Sequence, residues 1–366
     1  MSARIVLFGA TGYTGRRTAE ALVNRGARPV LAGRDPARLG ELAERLGGLE
    51  TARGDVTDPA SVRALLTGGD VLVTTVGPFL RLGEPAVRAA VDAGTVYLDS
   101  TGEPPFIRRI FDVHGPRAAA TGAGLVPAFG LDYVPGTLAG ALALAEAGER
   151  AFRVDIGYTI DGASGQAFSR GTLVSAVGVV LEPGFAFTGG RLVPEPAGRR
   201  LWRFQAGGRA RRGLSVGGSE HLTLPGLAPT LQEVGVHLDW FGALAPVAHR
   251  LAPLTALAGR VPGARQGAQR LAEAVGRRVA AAPSEGTVAR ARTHTVAEVR
   301  DPAGELVSRV DLAGPEAYRL TAGLLAWGAT TAAEHGLRGS GALGPVQAFG
   351  LEALTAGAAE AGLKRQ

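Results

Sequence analysis

The segment Gly9-Ala-Thr-Gly12-Tyr-Thr-Gly15 lies between a continuous apolar run, Arg4-Ile-Val-Leu-Phe8, and a helical pattern from about Thr14 to Arg25. That setting leaves few folds open. An unbroken apolar run bounded by glycine is the pattern of a strand buried on both faces of a parallel sheet. Ala19, Leu22 and Val23 fall on one face of the helix that follows. Glycines at a strand-to-helix turn permit a tight bend and let backbone N–H groups approach a pyrophosphate, which then rests on the positive end of the helix. Gly9, Gly12 and Gly15 are therefore candidate cofactor-binding residues, with Thr11, Tyr13 and Thr14 adding hydroxyl or backbone contacts. A plain glycine-rich turn is the alternative, and the strand before and helix after favour the phosphate loop.

The alternation continues. Pro29-Val-Leu-Ala32 predicts a second strand, Pro36 to Leu46 a helix with Leu39, Leu42 and Leu46 at helical spacing, and a third strand ends just before Asp55. Val71 to Val76 predicts a fourth strand, Pro85 to Ala93 a helix, Thr95 to Leu98 a fifth strand and Gly124 to Ala128 a sixth. Such spacing implies βαβ units and an α/β fold, a doubly wound parallel sheet of Rossmann type over residues 1–129. Past Phe129 the texture changes. Phe152 to Ile160 and Val234 to Trp240 alternate, Arg191 to Glu195 and Arg200 to Gln205 read as hairpin strands, and Thr293 to Arg300 and Leu306 to Leu312 as further strands. Few crossover helices intervene, so residues 130–314 are expected to form a second α+β domain with a mainly antiparallel sheet. Within it, one helix is expected near Gly171 to Val180 and an amphipathic helical stretch from Leu244 to Ala282. Residues 315–366, opening with a helix from Glu316 to Glu334, are expected to return as C-terminal helices to the first domain.

The end of the second strand bears on the choice of cofactor. NAD enzymes place an acid there to hold the ribose 2′-OH. This chain has Gly33-Arg34-Asp35, with Arg38 one turn on. Arg34 offers a planar fork for a 2′-phosphate, which favours NADP(H). Asp35 either serves as the acid or caps the helix that begins at Pro36, and capping suits its place directly before a proline. Asp55 lies either beside the adenine or in a turn before Val56.

Composition excludes much chemistry. The chain has no Cys, which removes thiol nucleophiles, Cys-ligated zinc, Fe–S clusters and disulfides. Its only Lys is Lys364, so a Schiff-base lysine and a Tyr-x-x-x-Lys relay are unavailable. Histidines 114, 221, 237, 249, 294 and 335 show no metal-binding spacing, so no metal is expected. The net charge of +6 comes from dispersed arginines, and aromatics are only 5%, which argues against a nucleic-acid platform. No signal-peptide pattern precedes Arg4. The longest apolar tract, Phe241 to Leu257, holds His249, Arg250 and two prolines, a poor membrane span and more suited to ordinary core than to an acyl tunnel or dimer interface. A soluble cytoplasmic protein is expected.

Three segments follow successive strands and converge on the carboxyl edge of the sheet: Val76-Gly77-Pro78-Phe79, Tyr97-Leu-Asp99-Ser-Thr-Gly102-Glu103, and Phe129-Gly130-Leu-Asp132-Tyr133-Val-Pro135-Gly136. Together with the glycine loop and Ala32-Gly33-Arg34, this combination resembles the saccharopine dehydrogenase-like oxidoreductases, and among them the trans-acting enoyl reductases of actinobacteria. Ser169-Arg170-Gly171-Thr172 and Gly341-Ala-Leu-Gly344-Pro345 also match that family, so the likeness runs through nearly the whole chain. Where the family usually has Phe-Asp-Ser, this chain has Leu131-Asp132-Tyr133. The resemblance implies NADP(H), a small-molecule or carrier-protein-tethered acyl substrate, and allows a homodimer through the second-domain sheet.

Hydride transfer is the cofactor's chemistry, and the protein must position the acceptor and manage one proton. Val76, Gly77 and Pro78 are placed at the nicotinamide end. Asp132 and Tyr133 head the candidates for the proton donor, since a carboxyl walled by Phe129, Leu131 and Val134 has its pKa raised; alternatively Asp132 caps a turn and Tyr133 packs in a hinge. Tyr97 is a further catalytic candidate, though with Asp99 and Glu103 it suits the holding of a loop. Ser169, Thr172 and Arg170 are candidate substrate contacts, at a thioester carbonyl or an anionic group. Arg199, Arg200, Arg203, Arg209, Arg211 and Arg212 either steer an acidic carrier protein or form a solvated hairpin. The expected function is NADPH-dependent reduction of an activated C=C such as an enoyl thioester. The alternatives are a C=N or C=O reductase acting on an amino-acid-derived or secondary-metabolite substrate, and a non-catalytic NADP(H) sensor.

Overall fold

A computed structural model describes residues 3–162, 184–239, 245–247, 249–250, 252 and 291–366. Ser169, Arg170 and Thr172, the helix expected near Gly171 to Val180, and most of Phe241 to Leu257 and of Leu244 to Ala282 lie outside the described residues. The chain divides into two compact units. The first comprises Met1–Thr101, Phe106–Val134 and Tyr318–Gly362, and the second Gly102–Pro105, Pro135–Ala317 and Leu363–Gln366.

In the first unit, strands β1 (Ile5–Phe8), β2 (Val30–Gly33), β3 (Thr51–Arg53), β4 (Val71–Thr74), β5 (Val96–Asp99), β6 (Gly124–Val126) and β15 (Gly341–Ala342) form one parallel sheet in the order β15-β6-β5-β4-β1-β2-β3. Every residue of β1, β2 and β4 is buried, as central strands covered on both faces must be. The order reverses between β1 and β4, and in such sheets the crevice beyond that switch point receives the ligand. Helices α1 (Tyr13–Asn24), α2 (Pro36–Arg45), α3 (Pro59–Arg63), α4 (Phe79–Leu82), α5 (Glu84–Ala93), α6 (Pro104–Arg109) and α7 (Gly115–Thr121) make the connections. Val6, Phe8, Val62, Leu72, Val87, Tyr97 and Phe106 belong to one buried cluster of the core.

The C-terminal helix Ala317–His335 carries Trp327 into this unit, where it stacks on Phe129 at 6.3 Å and meets Phe349 at 4.9 Å. A side chain at Gly357 would sit 1.9 Å from that indole. These aromatic contacts hold the C-terminal helices in the first unit as far as Gly362, whereas Leu363–Gln366, expected to return with them, belong to the second unit. A seventh strand, β15, joins the sheet beside β6 and was not foreseen. Two residues are too few to carry a period.

In the second unit, helix α8 (Val134–Ala147) precedes β7 (Arg153–Asp161), β8 (Phe185–Thr188), β9 (Arg191–Pro194), β10 (Leu201–Ala206), β11 (Arg209–Ser215), β12 (Glu233–Leu238), β13 (Arg292–Arg300), β14 (Leu306–Gly314) and β16 (Lys364–Arg365). The main path is β10-β11-β12-β7-β13-β14-β16, with β8 and β9 beside β12. Pairing is antiparallel except between β12 and β7. Along β7 the alternation does the packing. Ile156 and Tyr158 face α8, while Gly157 leaves room on the opposite side for the ring of Phe204. Among the described residues, no helix is long and apolar enough to cross a membrane.

Candidate functional site

Gly9 follows β1 at φ +89°, a left-handed conformation that favours glycine. A side chain there would come within 2.8 Å of Val76 Cγ2 and 2.9 Å of Thr75 Oγ1, so the loop after β1 lies directly against the loop after β4. The Thr75 hydroxyl donates to the Gly9 carbonyl at 3.2 Å. At Gly15 an added Cβ would lie 2.2 Å from the Gly9 carbonyl oxygen, a contact with backbone that nothing can relieve cheaply. The Gly12 amide donates to Gly9 O at 3.0 Å, and Gly12 stands at the N-cap of α1 without a side-chain cap. The first turn of α1 thus presents its positive end beside the crevice. This is a cradle that a methyl group would fill, and its glycines fit a pyrophosphate.

At the end of β2 the residues take separate tasks. Asp35 Oδ1 accepts from the amides of Ala37 and Arg38 at 3.1 and 3.2 Å, capping α2 with Pro36 at its first position. Arg34 is exposed. The guanidinium of Arg38 reaches the Thr11 carbonyl at 3.3 Å and so lies over the glycine loop. Asp55 closes a turn, accepting from the amide and hydroxyl of Thr57, both at 2.9 Å. Those two hydrogen bonds, then the nearby Arg34 and Arg53, hold its carboxyl below the usual range. Arg34, Arg38, Arg53 and Asp55 therefore collect at one side of the loop.

Tyr13 packs edge-on against Tyr318 of the C-terminal helix at 4.9 Å, with the Arg17 guanidinium 4.8 Å from its ring centroid. No sequence period links residues so far apart, and Tyr318 went unforeseen. The side chain of Thr14 is half-buried, and its carbonyl accepts from Thr18 Oγ1 at 3.0 Å. Val76 is half-buried and Gly77 exposed, with Pro78 capping α4. The peptide bonds Gly77–Pro78 and Asp132–Tyr133 are cis.

Asp99, fully buried, gathers three segments. Its carboxylate accepts from the Tyr97 hydroxyl at 2.7 Å, from the Thr101 amide at 2.9 Å and from the Ala128 amide at 2.8 Å. Burial first, and then the Asp99 charge, push the Tyr97 hydroxyl well above its ordinary value, so it stays protonated. Ala128 holds φ +58°, a position a non-glycine residue adopts only where its surroundings fix it. The loop beyond it is tied down by the Tyr133 amide on Ala128 O at 2.8 Å and the Leu131 amide on Thr321 Oγ1 at 3.1 Å. The Tyr133 ring is buried. Asp132 keeps part of its surface, yet burial pushes its carboxyl up to about 6, the direction expected beside Phe129, Leu131 and Val134.

In the second unit, the Tyr158 hydroxyl accepts from the Gly136 amide at 2.8 Å and donates to Glu220 Oε1 at 2.6 Å. His221 and His237 are buried among backbone groups, and burial lowers each to about 4, so both are neutral.

Residues 9–95, from the glycine loop to the start of β5, match the NAD(P)H-binding family model. Two trans-acting enoyl reductases, from Mycobacterium ulcerans and Mycobacterium leprae, are each 43% identical to the chain over 140 residues. A Mycobacterium tuberculosis protein provisionally given the same name is 45% identical over 142 residues. The chain resembles the trans-acting enoyl reductases. These matches span 37% of the chain and about a third of the enoyl reductases' own length. Over its whole length the chain shares a fold with the apo saccharopine dehydrogenase (L-Glu forming) of Saccharomyces cerevisiae, with a TM-score of 0.59, 12% identity, and coverage of 100% of this chain and 99% of that one. The enoyl reductase likeness and the shared fold agree with the resemblance expected from the sequence, and the NAD(P)H-binding match supports a nicotinamide cofactor.

Proposed function

We propose that the protein is a cytoplasmic NADP(H)-dependent oxidoreductase that reduces the activated C=C of an enoyl thioester held on an acyl carrier protein. The observation that carries this reading is the division of labour at the end of β2. Asp35, the only carboxylate directly after that strand, is occupied in capping α2, which leaves Arg34 to meet the adenosine ribose. A guanidinium there suits a 2′-phosphate and has no match on NADH.

The nicotinamide, when bound, supplies the hydride. The protein's residues do the rest. Gly9, Gly12 and Gly15 admit the pyrophosphate to the start of α1, with Thr11, Tyr13 and Thr14 around it. Arg34 and Arg38 hold the 2′-phosphate, and Asp55 borders the adenosine. Val76, Gly77 and Pro78 support the nicotinamide end. Asp132, with its raised carboxyl, gives the proton that completes reduction, and Tyr133 fixes the loop that carries it. Tyr97 acts through Asp99, which ties that loop to β5. Ser169 or Thr172 is assigned to the thioester carbonyl and Arg170 to an anionic group, on the sequence reading alone.

Arg34→Ala is expected to raise the KM for NADPH by about 10- to 100-fold, the worth of a charge-assisted pair, and to leave that for NADH nearly unchanged. Equal effects on both would overturn the cofactor assignment. Loss of nicotinamide absorbance with a crotonyl thioester, a cyclic imine and a ketone separates the competing acceptors. Tight NADPH binding with no acceptor consumed would favour a sensor.

A further inference from the structure

The hairpin β10–β11 turns through Gly207 and Gly208, at φ +58° and +71°, the two-residue turn whose twist suits antiparallel strands. Its register sets Arg203 directly opposite Arg212 and Phe204 opposite Arg211. Because successive side chains alternate, the two pairs face opposite ways. Phe204 is buried against Gly157, and Arg211 beside it reaches Asp161 in an ion pair. Arg203 and Arg212 stand on the other face, both exposed, whereas Arg209, opposite Ala206 beside the turn, falls on the Phe204 face. Like charges directly across a strand pair repel. None of Arg203, Arg209 and Arg212 has a carboxylate partner among the described residues. Several other guanidiniums of the second unit are neutralised: Arg150 lies on Asp301, Arg153 on Asp155 and Glu233, Arg200 on Glu195, and Arg309 on Glu298 and Asp311.

We propose that the outer face of this hairpin, with its facing pair Arg203 and Arg212, is the docking surface for a folded acidic partner, the carrier protein that presents the acyl substrate; this rests on the reductase reading above. An acidic protein surface turns the cross-strand repulsion into attraction and steers the encounter. Nucleic acid fits less well. Two guanidiniums cover few phosphates, and Trp202 and Phe204, the aromatics that flank Arg203 in sequence, stack on each other at 4.8 Å on the inner face.

The test measures binding and turnover with an acidic acyl carrier protein loaded with a crotonyl thioester, beside the free crotonyl N-acetylcysteamine thioester. Affinity for the loaded carrier should fall steeply as salt is raised. Arg203→Glu/Arg212→Glu should weaken it about tenfold or more and flatten the salt dependence, with the KM for the free thioester and for NADPH within about twofold of wild type. Arg203→Glu alone replaces a repulsive pair by an attractive one, so Tm should hold or rise while carrier affinity falls. A purely structural role would move the two together. Wild-type affinity retained by both variants, no carrier binding by wild type, or tighter binding of a DNA duplex than of the carrier would each overturn the proposal. Charge-dependent carrier binding with no NADPH consumed on either thioester would uphold the surface and sink the reductase reading.

Discussion

Asp132→Asn is expected to make the protein more stable at neutral pH and far less active. The carboxyl lies near 6 in the folded chain against 3.8 for the ordinary group. At low pH it is protonated in both folded and unfolded states and has no differential effect. As pH climbs from about 4 to about 6, the unfolded chain ionises first, and the buried carboxylate then costs the fold about 2–3 kcal/mol, present in full at pH 7. Asparagine carries no charge to bury, so Tm should rise in the variant, with a gain that disappears below about pH 4. As a proton donor, Asp132 works only in its protonated form, so kcat/KM should fall about tenfold per pH unit above about 6. The carboxamide of the variant has no acidic proton to give. A loss of about 10²–10⁴ in kcat is expected, with that limb of the pH profile removed. Paired melting curves and pH–rate profiles check both. Were Asp132 instead a cap, asparagine would serve nearly as well, leaving Tm close to wild type and the pH profile in place.

Gly15→Ala should cost the cofactor site about as much by geometry alone. Its Cβ would lie 2.2 Å from Gly9 O and 2.9 Å from Gly9 C, both backbone, so α1 and the loop must part by about 1 Å. A displacement of that size at a site built on backbone N–H groups is worth about 10²-fold, and the overpacking a further 1–3 kcal/mol of stability. Gly12→Ala meets the same oxygen at 3.3 Å, so it needs only a small adjustment and should lose much less. Titrating NADPH against the two variants by nicotinamide fluorescence checks the contrast. Similar losses in both would show that the loop is not the close-approach surface described.

The first domain was legible because its strands are buried on both faces and its helices on one, so apolar runs and helical stripes alternate along the chain. Helix α8 escaped notice for the opposite reason. Val134-Pro-Gly-Thr-Leu-Ala-Gly-Ala-Leu-Ala is buried on nearly every side and shows no polar stripe, and its Pro and Gly read as a hinge. The parallel pairing of β12 with β7 went unseen because register across some eighty residues leaves no local mark. At the site, Asp35 as a cap followed from its place before Pro36. The contacts of Arg38 with Thr11, Tyr318 with Tyr13 and Tyr158 with Glu220 depend on tertiary packing, and no spacing rule encodes them. The Asp99 junction was half visible. Its residues drew notice as a loop-holding group, but the amide of Ala128, contributed from beyond β6, did not.

Deuteride transfer tests the central claim most directly. The protein is incubated with [4-²H]NADPH of each stereochemistry and a crotonyl thioester, and the product is read by mass spectrometry. One of the two labelled cofactors should deliver a single deuterium to the β-carbon of a saturated thioester. Recovery of the unsaturated thioester without label from both, while NADPH binds, would contradict the account.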